Sequence, residues 1–425
     1  MLNRTQAPQI HAIGTVDFPQ VKKQVLSNGV SLSVLSNHSS ELLRVDFIVG
    51  AGVWQQQKPL QAFLTNQMLK EGSLRFNAQH IADKLDFFGS SLQLSCSYHH
   101  AYITVYSLSK YVEQTLEIVE SILKESIFPV SSFEVLLNKR KNRFLLEQEK
   151  VESIAAKKFV SCVFGQNHPY GKTADINDFY AISPKDLSSY YSEYYGSNNI
   201  SIVVSGDVNR VVLNKLEQLF GNESWGKQKV FEVKPVAFDP LEQKKHFMLK
   251  TNTIQSAVRL GIPCVDRNHP DYFRLRVLNV VLGGYFGGRL MSSIREEKGY
   301  TYGISSSLVA MPYAGYFSIA TETATEFVPD LIQEVYKEMD RLCIEPVGQS
   351  EMQMVKNFAL GEMMRAFDGF FSHADALLFL IANNLDNSYY VKQLESIQNI
   401  SPQQIQLMAQ KYFVKEDFYE IVVGR

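Results

Sequence analysis

Two stretches of the chain decide the fold: "SPKDLSSYYSEYYGSNNISIVVSGD" at residues 183–207 and "SPQQIQLMAQKYFVKEDFYEIVVGR" at residues 401–425. Each begins with Ser-Pro, continues with an amphipathic helical pattern and ends in an apolar strand pattern. Serine is a favoured helix N-cap and proline is favoured at the first helical position. Both copies therefore predict a helix that begins at the proline and leads into a strand, and their offset of 218 residues predicts a tandem duplication.

A weaker repeat supports the duplication. Gly89 lies in "LDFFGSSLQLSCSYHHAYITVYSL", and Gly299 lies 210 residues later in "REEKGYTYGISSSLVAMPYAGYFSIA". Both stretches alternate apolar and polar residues at strand spacing, and each precedes a helical pattern. We predict an α+β fold of two tandem homologous halves that form a clamshell. Each half is expected to be an antiparallel-rich sheet with helices covering one face.

The bulk composition agrees with two domains, because 425 residues exceed the size at which one core keeps growing. We place the N-terminal half at residues 1–221 and the C-terminal half at 242–425. Between them, residues 222–241 are polar, contain Gly and Pro and show no periodicity, which predicts a linker.

Charge and hydropathy exclude two classes of partner. A net charge of −2 gives no basic surface for nucleic acid. No segment approaches the roughly 18 apolar residues expected of a membrane span, and "MLNRTQAPQIHAIGTVDF" at the start has no continuous apolar run. We therefore expect a cytoplasmic protein with no nucleic-acid or membrane partner.

Several motifs carry a family likeness. "SNGVSLSVL" at 27–35, "QNHPYGK" at 166–172, "VLNVVLGGYFGGRLMSSIREEKGYTYGISSS" at 277–307 and the two Ser-Pro helices resemble the insulinase, pitrilysin and mitochondrial-processing-peptidase family of zinc metallopeptidases. The resemblance covers nearly the whole chain and is most specific from Gly283 to Tyr302. It implies the duplicated fold and peptide substrates.

Active members of that family carry H-x-x-E-H on the first helix, followed by a Gly-Thr or Gly-Ser turn. Residues i and i+4 share a helical face, so two imidazoles reach one Zn²⁺ and the Glu acts as base. In "QAFLTNQMLKEGS" at 61–73, the turn aligns Phe63 and Gln67 with the two ligands and Asn66 with the base. Phe cannot ligate, and neutral amides bind zinc poorly and accept no proton. We call Phe63, Asn66 and Gln67 the degenerate zinc-motif positions.

The remaining zinc ligand of the family is a Glu on a later helix, and in "NKRKNRFLLEQEK" Glu147 is the candidate. One carboxylate makes no zinc site. The nine histidines include no i, i+4 or H-x-H pair that would predict another. The resemblance therefore implies no cofactor in this chain and zinc in a partner subunit.

The C-terminal half keeps a second family motif. "IREEKGYTY" at 294–302 matches an Arg/Tyr pattern at Arg295 and Tyr302, which the resemblance implies reach toward the zinc site. A guanidinium and a phenol hydroxyl are donors suited to the negative charge that develops on a peptide carbonyl. The alternative is a solvated charged helix face followed by an ordinary strand tyrosine. The preceding glycines are predicted to let either a substrate strand or a neighbouring element of the fold approach closely: Gly283, Gly284, Gly287 and Gly288.

The preferred hypothesis is the non-zinc subunit of a heterodimeric zinc metallopeptidase, inactive alone. A homologous partner with the intact motif would hold the metal, while this chain supplies Arg295 and Tyr302 for substrate binding and oxyanion stabilisation. The alternative is a catalytically inert structural or peptide-binding scaffold subunit. A third possibility is an independent peptidase with an unrecognised site, and a homodimer of the chain alone also stays open.

Overall fold

The computed structural model describes residues 20–228 and 235–425, so residues 1–19 and part of the predicted 222–241 linker lie outside the described residues. Two sheets form, with strand orders β1-β2-β6-β3-β5-β4 and β7-β11-β8-β10-β9. The strands are β1 Lys22–Val25, β2 Ser31–Ser36, β3 Leu42–Val49, β4 Ser91–Cys96, β5 Ala101–Leu108, β6 Ile200–Gly206, β7 Lys245–Leu249, β8 Ser256–Cys264, β9 Ile304–Ala310, β10 Gly315–Thr323 and β11 Tyr419–Gly424.

Helices fill the sequence between these strands. The α-helices are α1 Gln61–Met68, α2 Ala78–Phe87, α3 Val112–Lys124, α4 Val130–Glu149, α5 Val151–Phe164, α6 Asp178–Ala181, α7 Pro184–Tyr194, α8 Arg210–Phe220, α9 Tyr272–Asn279, α10 Val328–Ile344, α11 Gln349–Arg365, α12 Phe370–Ala382, α13 Ser388–Asn399 and α14 Pro402–Tyr412. Two π-helical segments cover Val280–Gly284 and Met291–Glu297. Short 3-10 turns cover Val53–Gln55, Leu69–Glu71, Ser109–Tyr111, Ser197–Asn199, Thr325–Phe327 and Lys415–Asp417.

Most strand pairs are antiparallel, as predicted. The exceptions are β2 beside β6, with Ser31 opposite Ser201, and β7 beside β11, with Lys245 opposite Glu420. The first sheet uses strands before the predicted linker and the second uses strands after it. The α+β class with one sheet in each half is confirmed.

The predicted closing units are present in both halves. Ser183 caps α7 and Ser401 caps α14, and each helix begins at the proline. In each cap, the serine hydroxyl accepts from the backbone N–H three residues on, and that residue's side chain accepts from the serine N–H at 2.8 and 2.9 Å. This reciprocal capping box satisfies two otherwise unpaired donors, so the Ser-Pro pattern fixes where each helix begins.

Each sheet packs one face against helices of its own half. In the N-terminal half, α3 and α8 bury their apolar faces against residues such as Val45 and Phe47 of β3. In the C-terminal half, α10 and α14 cover Leu260 and Ile262 of β8 in the same way. These two cores account for the helical faces predicted from the sequence.

The second face of each sheet is covered by a helix of the other half. Helix α5 packs on the C-terminal sheet, where buried Phe159 contacts the strand carrying Gly261 and lies in one cluster with Ile421. Helix α12 packs on the N-terminal sheet, where Leu377 joins Val203. The helices of each half thus cover one face of its own sheet, as predicted, and the helix from the other half on the second face was not predicted. Apolar strand residues also point to the second face, and burying them stabilises the fold.

A buried ion network ties α12 to the N-terminal sheet. Arg44 on β3 donates from Nε to Asp46 at 2.8 Å, and its Nη1 lies 2.8 Å from Asp375 on α12. Thr104 also donates to Asp46 at 2.6 Å. Burial raises the pKa of Asp46, while the Arg44 guanidinium opposes that shift. Because Arg44 and Asp46 are buried, each depends on the other for compensation of its charge.

Candidate functional site

Helix α1 carries the degenerate zinc-motif positions, and packing occupies two of them. Phe63 is half-buried in an apolar cluster with Leu64 and Phe144. Asn66 is fully buried, and its contact with the Tyr195 hydroxyl lacks the geometry of a full hydrogen bond. Neither side chain presents a ligand atom to a solvent-filled site. The position of the catalytic base has become part of the helix's packed interior.

Gln67, at the second ligand position, is also engaged. Its Nε2 donates to the carbonyl of Leu94 at 2.8 Å. Leu94 lies on β4, the edge strand of the N-terminal sheet. The amide therefore caps an acceptor at the sheet edge, which is a structural use of a side chain with no metal role.

Glu147, the candidate third ligand, is surrounded by cations. Its Oε1 lies 3.4 Å from Arg140 Nη1 and 3.2 Å from Arg143 Nε, and its Oε2 lies 3.7 Å from Lys157 Nζ. Burial lowers the pKa of Lys157, while Glu147 opposes that shift. Arg140 also lies over the Phe63 ring, 5.9 Å from its centroid. The carboxylate is neutralised by side chains at the position where the family resemblance implies a metal.

These residues do not fit zinc. Zinc sites need imidazole, thiolate or carboxylate ligands in a tetrahedral set, and α1 supplies a phenyl ring and two amides. In the described part of the chain, no group of three or more His, Cys, Asp or Glu side chains could hold a metal ion. No step of a mechanism is therefore assigned to a metal in this chain.

Arg295 lies in the π-helical segment Met291–Glu297 and is half-buried. Its guanidinium carbon is 4.7 Å from the ring centroid of Phe286. Phe286 is an exposed residue of the segment 283–288, which carries the four glycines and is called the glycine loop. Gly299 follows two residues after this segment, and its φ of +68° is the left-handed conformation that glycine adopts without strain. The hydrogen bonding of this segment is π-helical instead of α-helical.

Tyr302 lies two residues before β9 and is 90% exposed. It lines a cleft of about 280 Å³ between α5 and the C-terminal sheet, together with Glu152, Arg259 and Glu322. Burial lowers the pKa of Arg259, and the charge of Glu152 opposes that shift. Arg295 is not among the residues that line this cleft. The structure thus places Tyr302, largely exposed, at the edge of this cleft and Arg295 over Phe286, so the two side chains do not line one cleft.

The four glycines of that loop lie close to neighbouring atoms of the same half. A Cβ on Gly283 would lie 2.9 Å from a methyl group of Leu290, and one on Gly287 would lie 2.7 Å from the Tyr285 ring. A Cβ on Gly288 would lie 3.0 Å from the Cα of Gly283, and one on Gly284 would lie 2.7 Å from the Asn279 side chain. Close internal packing is sufficient reason for these glycines, and their role in substrate binding stays a prediction.

The sequence interpretation missed the cations around Glu147. Arg143 precedes Glu147 by four residues on one helix, so the i, i+4 rule could have found that pair. Lys157 lies on the next helix, and no sequence spacing predicts its approach.

Within the described chain, no helix is long and apolar enough to cross a membrane.

Comparison with known proteins places these features in a family. A family profile described as "Peptidase M16 inactive domain" matches residues 181–358. A "Non-peptidase homolog YmxG" of Helicobacter pylori is 25% identical over 71% of this chain and 69% of its own length. A "Mitochondrial-processing peptidase subunit beta" of Lentinula edodes is 22% identical over 94% of this chain and 89% of its own length.

A solved structure agrees on the fold. It is described as a peptidase M16 inactive domain from Pseudomonas fluorescens, with a TM-score of 0.84 and 22% identity, covering 95% of this chain and 98% of that one. The matched profile begins at the first closing unit and includes Arg295 and Tyr302, whereas the degenerate zinc-motif positions lie outside it. The chain is thus similar to proteins of the M16 peptidase family, and the profile of that family's inactive domain matches its residues 181–358.

Proposed function

We propose that this chain is the non-zinc subunit of a heterodimeric zinc metallopeptidase that cleaves peptides. A homologous partner with an intact zinc motif would hold the metal and the base. This chain would supply Arg295 and Tyr302, and it would be inactive alone. The observation that carries the proposal is the 90% exposure of Tyr302, because packing within the chain gives no reason to keep an aromatic ring there.

The chemistry of the two side chains supports the proposal. A phenol hydroxyl donates one hydrogen bond and a guanidinium donates several in a fixed plane, and both suit an oxygen on which negative charge develops. The stack of Arg295 on Phe286 restrains the guanidinium. In a closed chamber with little water, such donors act at low dielectric and are worth more than at an open surface.

The partner and the substrate are part of the same proposal. One relative is named as a subunit of a processing peptidase, which supports assembly with a second chain. A homologous chain could use the same surfaces, and a homodimer of this chain is the alternative assembly. Unfolded or short peptides are the proposed substrates, and a cytoplasmic location remains a prediction.

A specific observation favours a second candidate, the inert structural or peptide-binding scaffold. Packing and cations occupy the degenerate positions and Glu147, and another relative is named a non-peptidase homologue. In that case Arg295 and Tyr302 are inherited residues that no reaction uses.

The test measures peptide cleavage by this chain, by a zinc-motif relative from the same source, and by their 1:1 mixture. We expect only the mixture to cleave. Arg295→Ala and Tyr302→Phe should each reduce its rate by about 10²–10³-fold, the loss typical of one oxyanion donor. Tyr180→Phe is the matched control, since Tyr180 is also exposed but its hydroxyl accepts from Lys141 on the N-terminal half.

Stability separates a lost donor from a damaged fold. Because Tyr302 is exposed, Tyr302→Phe should change the free energy of unfolding by less than about 0.5 kcal/mol. A mixture no faster than the relative alone would refute the proposal and favour the scaffold. Full activity of both variants would refute the assigned roles of Arg295 and Tyr302.

A further inference from the structure

The duplication places an arginine at the same position of both sheets. Arg44 on β3 lies opposite Tyr106 of β5, and Arg259 on β8 lies opposite Ala320 of β10. β3 is the third strand counted from the edge strand β4, and β8 is the third counted from the edge strand β9. Tyr106 and Ala320 are each the sixth residue of their strand. The two arginines are therefore structural equivalents, and their surroundings can be compared.

In the N-terminal half, the surroundings of this arginine compensate its charge. Arg44 is buried, and its Nε and Nη1 lie 2.8 Å from carboxylate oxygens of Asp46 and Asp375 respectively. Its guanidinium carbon lies 5.5 Å from the centroid of the Tyr106 ring. Two carboxylates and an aromatic ring thus surround the guanidinium, so Arg44 is a structural residue.

The C-terminal half lacks these partners. Gly261 follows Arg259 by two residues, at the position of Asp46, and brings no carboxylate. Ala320 stands at the position of Tyr106 and brings no ring. Among the described residues, none forms a hydrogen bond or an ion pair with the Arg259 guanidinium, and neighbouring charges act on it only at longer range. The same position thus carries a compensated charge in one half and an uncompensated charge in the other.

Arg259 lines the cleft of about 280 Å³ that Tyr302 also lines, and this cleft opens to solvent. Ala320 leaves open the space that an aromatic ring fills in the N-terminal half. Glu152 of α5 and Glu322 of β10 are the other charged residues of the cleft. Within the described chain, neither carboxylate lies within ion-pair distance of Arg259. A ligand in this cleft therefore meets hydrogen-bond donors and acceptors that do not neutralise each other.

The charges of the cleft favour an uncharged polar ligand. One guanidinium and two carboxylates give a formal charge of −1, which disfavours a carboxylate or a phosphate. A cation would meet the charge of Arg259 itself. The main chain of an extended peptide carries carbonyl oxygens and N–H groups in alternation, so it can use the donors and the acceptors together. Small lining residues such as Ser305 and Ala320 let a backbone approach closely.

We propose that Arg259 is a substrate-binding residue that donates hydrogen bonds to main-chain carbonyl oxygens of an extended peptide beside Tyr302. The choice of a peptide rests on the proposed function, whereas the choice of Arg259 rests on the comparison of the two halves. Arg295 lies outside this cleft and contacts Phe286 instead. Arg259 is thus the guanidinium that shares a cleft with Tyr302.

The test measures the affinity of a fluorescent peptide for this chain alone by anisotropy. Arg259→Met should weaken binding about tenfold, because it removes hydrogen bonds from a charged donor. Arg259→Lys should keep part of the affinity, since it retains the charge without the planar donor set. Arg210→Met, on the exposed side of α8 in the other half, is the matched control for loss of one positive charge.

Two further measurements separate binding from a structural role. Ala320→Tyr restores the ring that the N-terminal half has at this position and should weaken binding about tenfold with Arg259 still present, because it fills the cleft. Arg259→Met should leave the melting temperature unchanged or higher, because no carboxylate loses a partner. Peptides of one sequence with Gln, Glu or Lys at a central position should bind within about threefold of each other, since main-chain groups carry the contact.

Absence of peptide binding by the wild-type chain would overturn the proposal. So would equal affinities of the wild type and Arg259→Met, or full affinity of a folded Ala320→Tyr variant. A tenfold preference for the Glu or the Lys peptide would overturn the assignment to the main chain. Should Arg259→Met fail to fold, Arg259→Lys and Ala320→Tyr repeat the test. The assay contains no partner, so Arg259-dependent binding without cleavage by the mixture would keep this site and refute only the heterodimeric enzyme.

Discussion

Removing Phe159 tests whether the crossing helix α5 joins the two halves into one cooperative unit. The ring is fully buried and lies 5.5 Å from that of Tyr316 on β10. An added Cβ at Gly261 would lie 2.6 Å from Phe159 Cζ, so the ring fills the space that the glycine leaves. Phe159→Ala removes this contact and leaves a cavity, for which buried Phe→Ala changes typically cost about 3–5 kcal/mol.

We call the contact between α5 and the C-terminal sheet, centred on Phe159, the joint. Which part of the protein loses stability in Phe159→Ala distinguishes the joint from an ordinary core. Both tryptophans, Trp54 and Trp225, pack with residues of the N-terminal half or the joint, so their fluorescence reports on that part of the molecule. Far-UV circular dichroism reports on both halves. In urea, the two signals of the wild type should change together. In Phe159→Ala they should separate, because the half-to-half contact that couples them is weakened.

Phe220→Ala is the matched control, because Phe220 is equally buried but packs on Phe47 inside the N-terminal half. It should lower stability by a similar amount. The fluorescence and circular dichroism transitions should then move to lower urea together, because α5 still couples the two halves. A loss below about 1 kcal/mol in Phe159→Ala, or unchanged coincidence of its two signals, would refute the assignment of α5 as the joint.

Two further predictions concern buried charge. Arg44→Ala should lower the free energy of unfolding by about 3–5 kcal/mol, because it leaves buried Asp46 without its cation. Arg210→Ala on α8 is the control and should change stability little. A loss below about 1 kcal/mol in Arg44→Ala would contradict the assigned pairing of Arg44 with Asp46. Burial, then the charges of His100 and Arg267, lower the pKa of His99 to about 4, below the ordinary value of about 6.5. As pH falls, His99 therefore takes up a proton in the unfolded chain before it does so in the folded chain. In urea titrations, the free energy of unfolding should be unaffected by His99 above about pH 6.5 and should be reduced by about 3 kcal/mol as pH falls to about 4. His99→Gln should remove the part of that dependence due to His99 and leave the part due to His100, whose burial also lowers its pKa to about 4, and an unchanged pH profile would exclude His99 as a source.

The closing units could be predicted because their signals are local. Ser183 and Ser401 each accept from the backbone N–H three residues on, so a four-residue pattern fixes the helix start. The exchange of α5 and α12 could not be predicted in this way. The periodicity of "FFSHADALLFLIA" predicts that this helix, α12, has a buried face. It does not predict that this face packs on β6 of the other half, because Val203 and Ala374, which meet there, are some 170 residues apart in the sequence. Local patterns identify elements, and the choice of packing partner belongs to the whole chain.

In the candidate site, too, some features could be predicted from local sequence and others depend on the packing of the whole chain. The sequence shows that Phe63, Asn66 and Gln67 cannot bind zinc, because that conclusion needs only side-chain chemistry. It does not show what became of Glu147, since Lys157 reaches that carboxylate from the next helix. An ionised carboxylate that is about three-quarters buried is costly without a cation nearby. The cations on α4 and α5 therefore compensate the charge of Glu147, while α1 supplies no metal ligand. A Glu147 paired only with solvent would destabilise the same packing that Phe63 now completes.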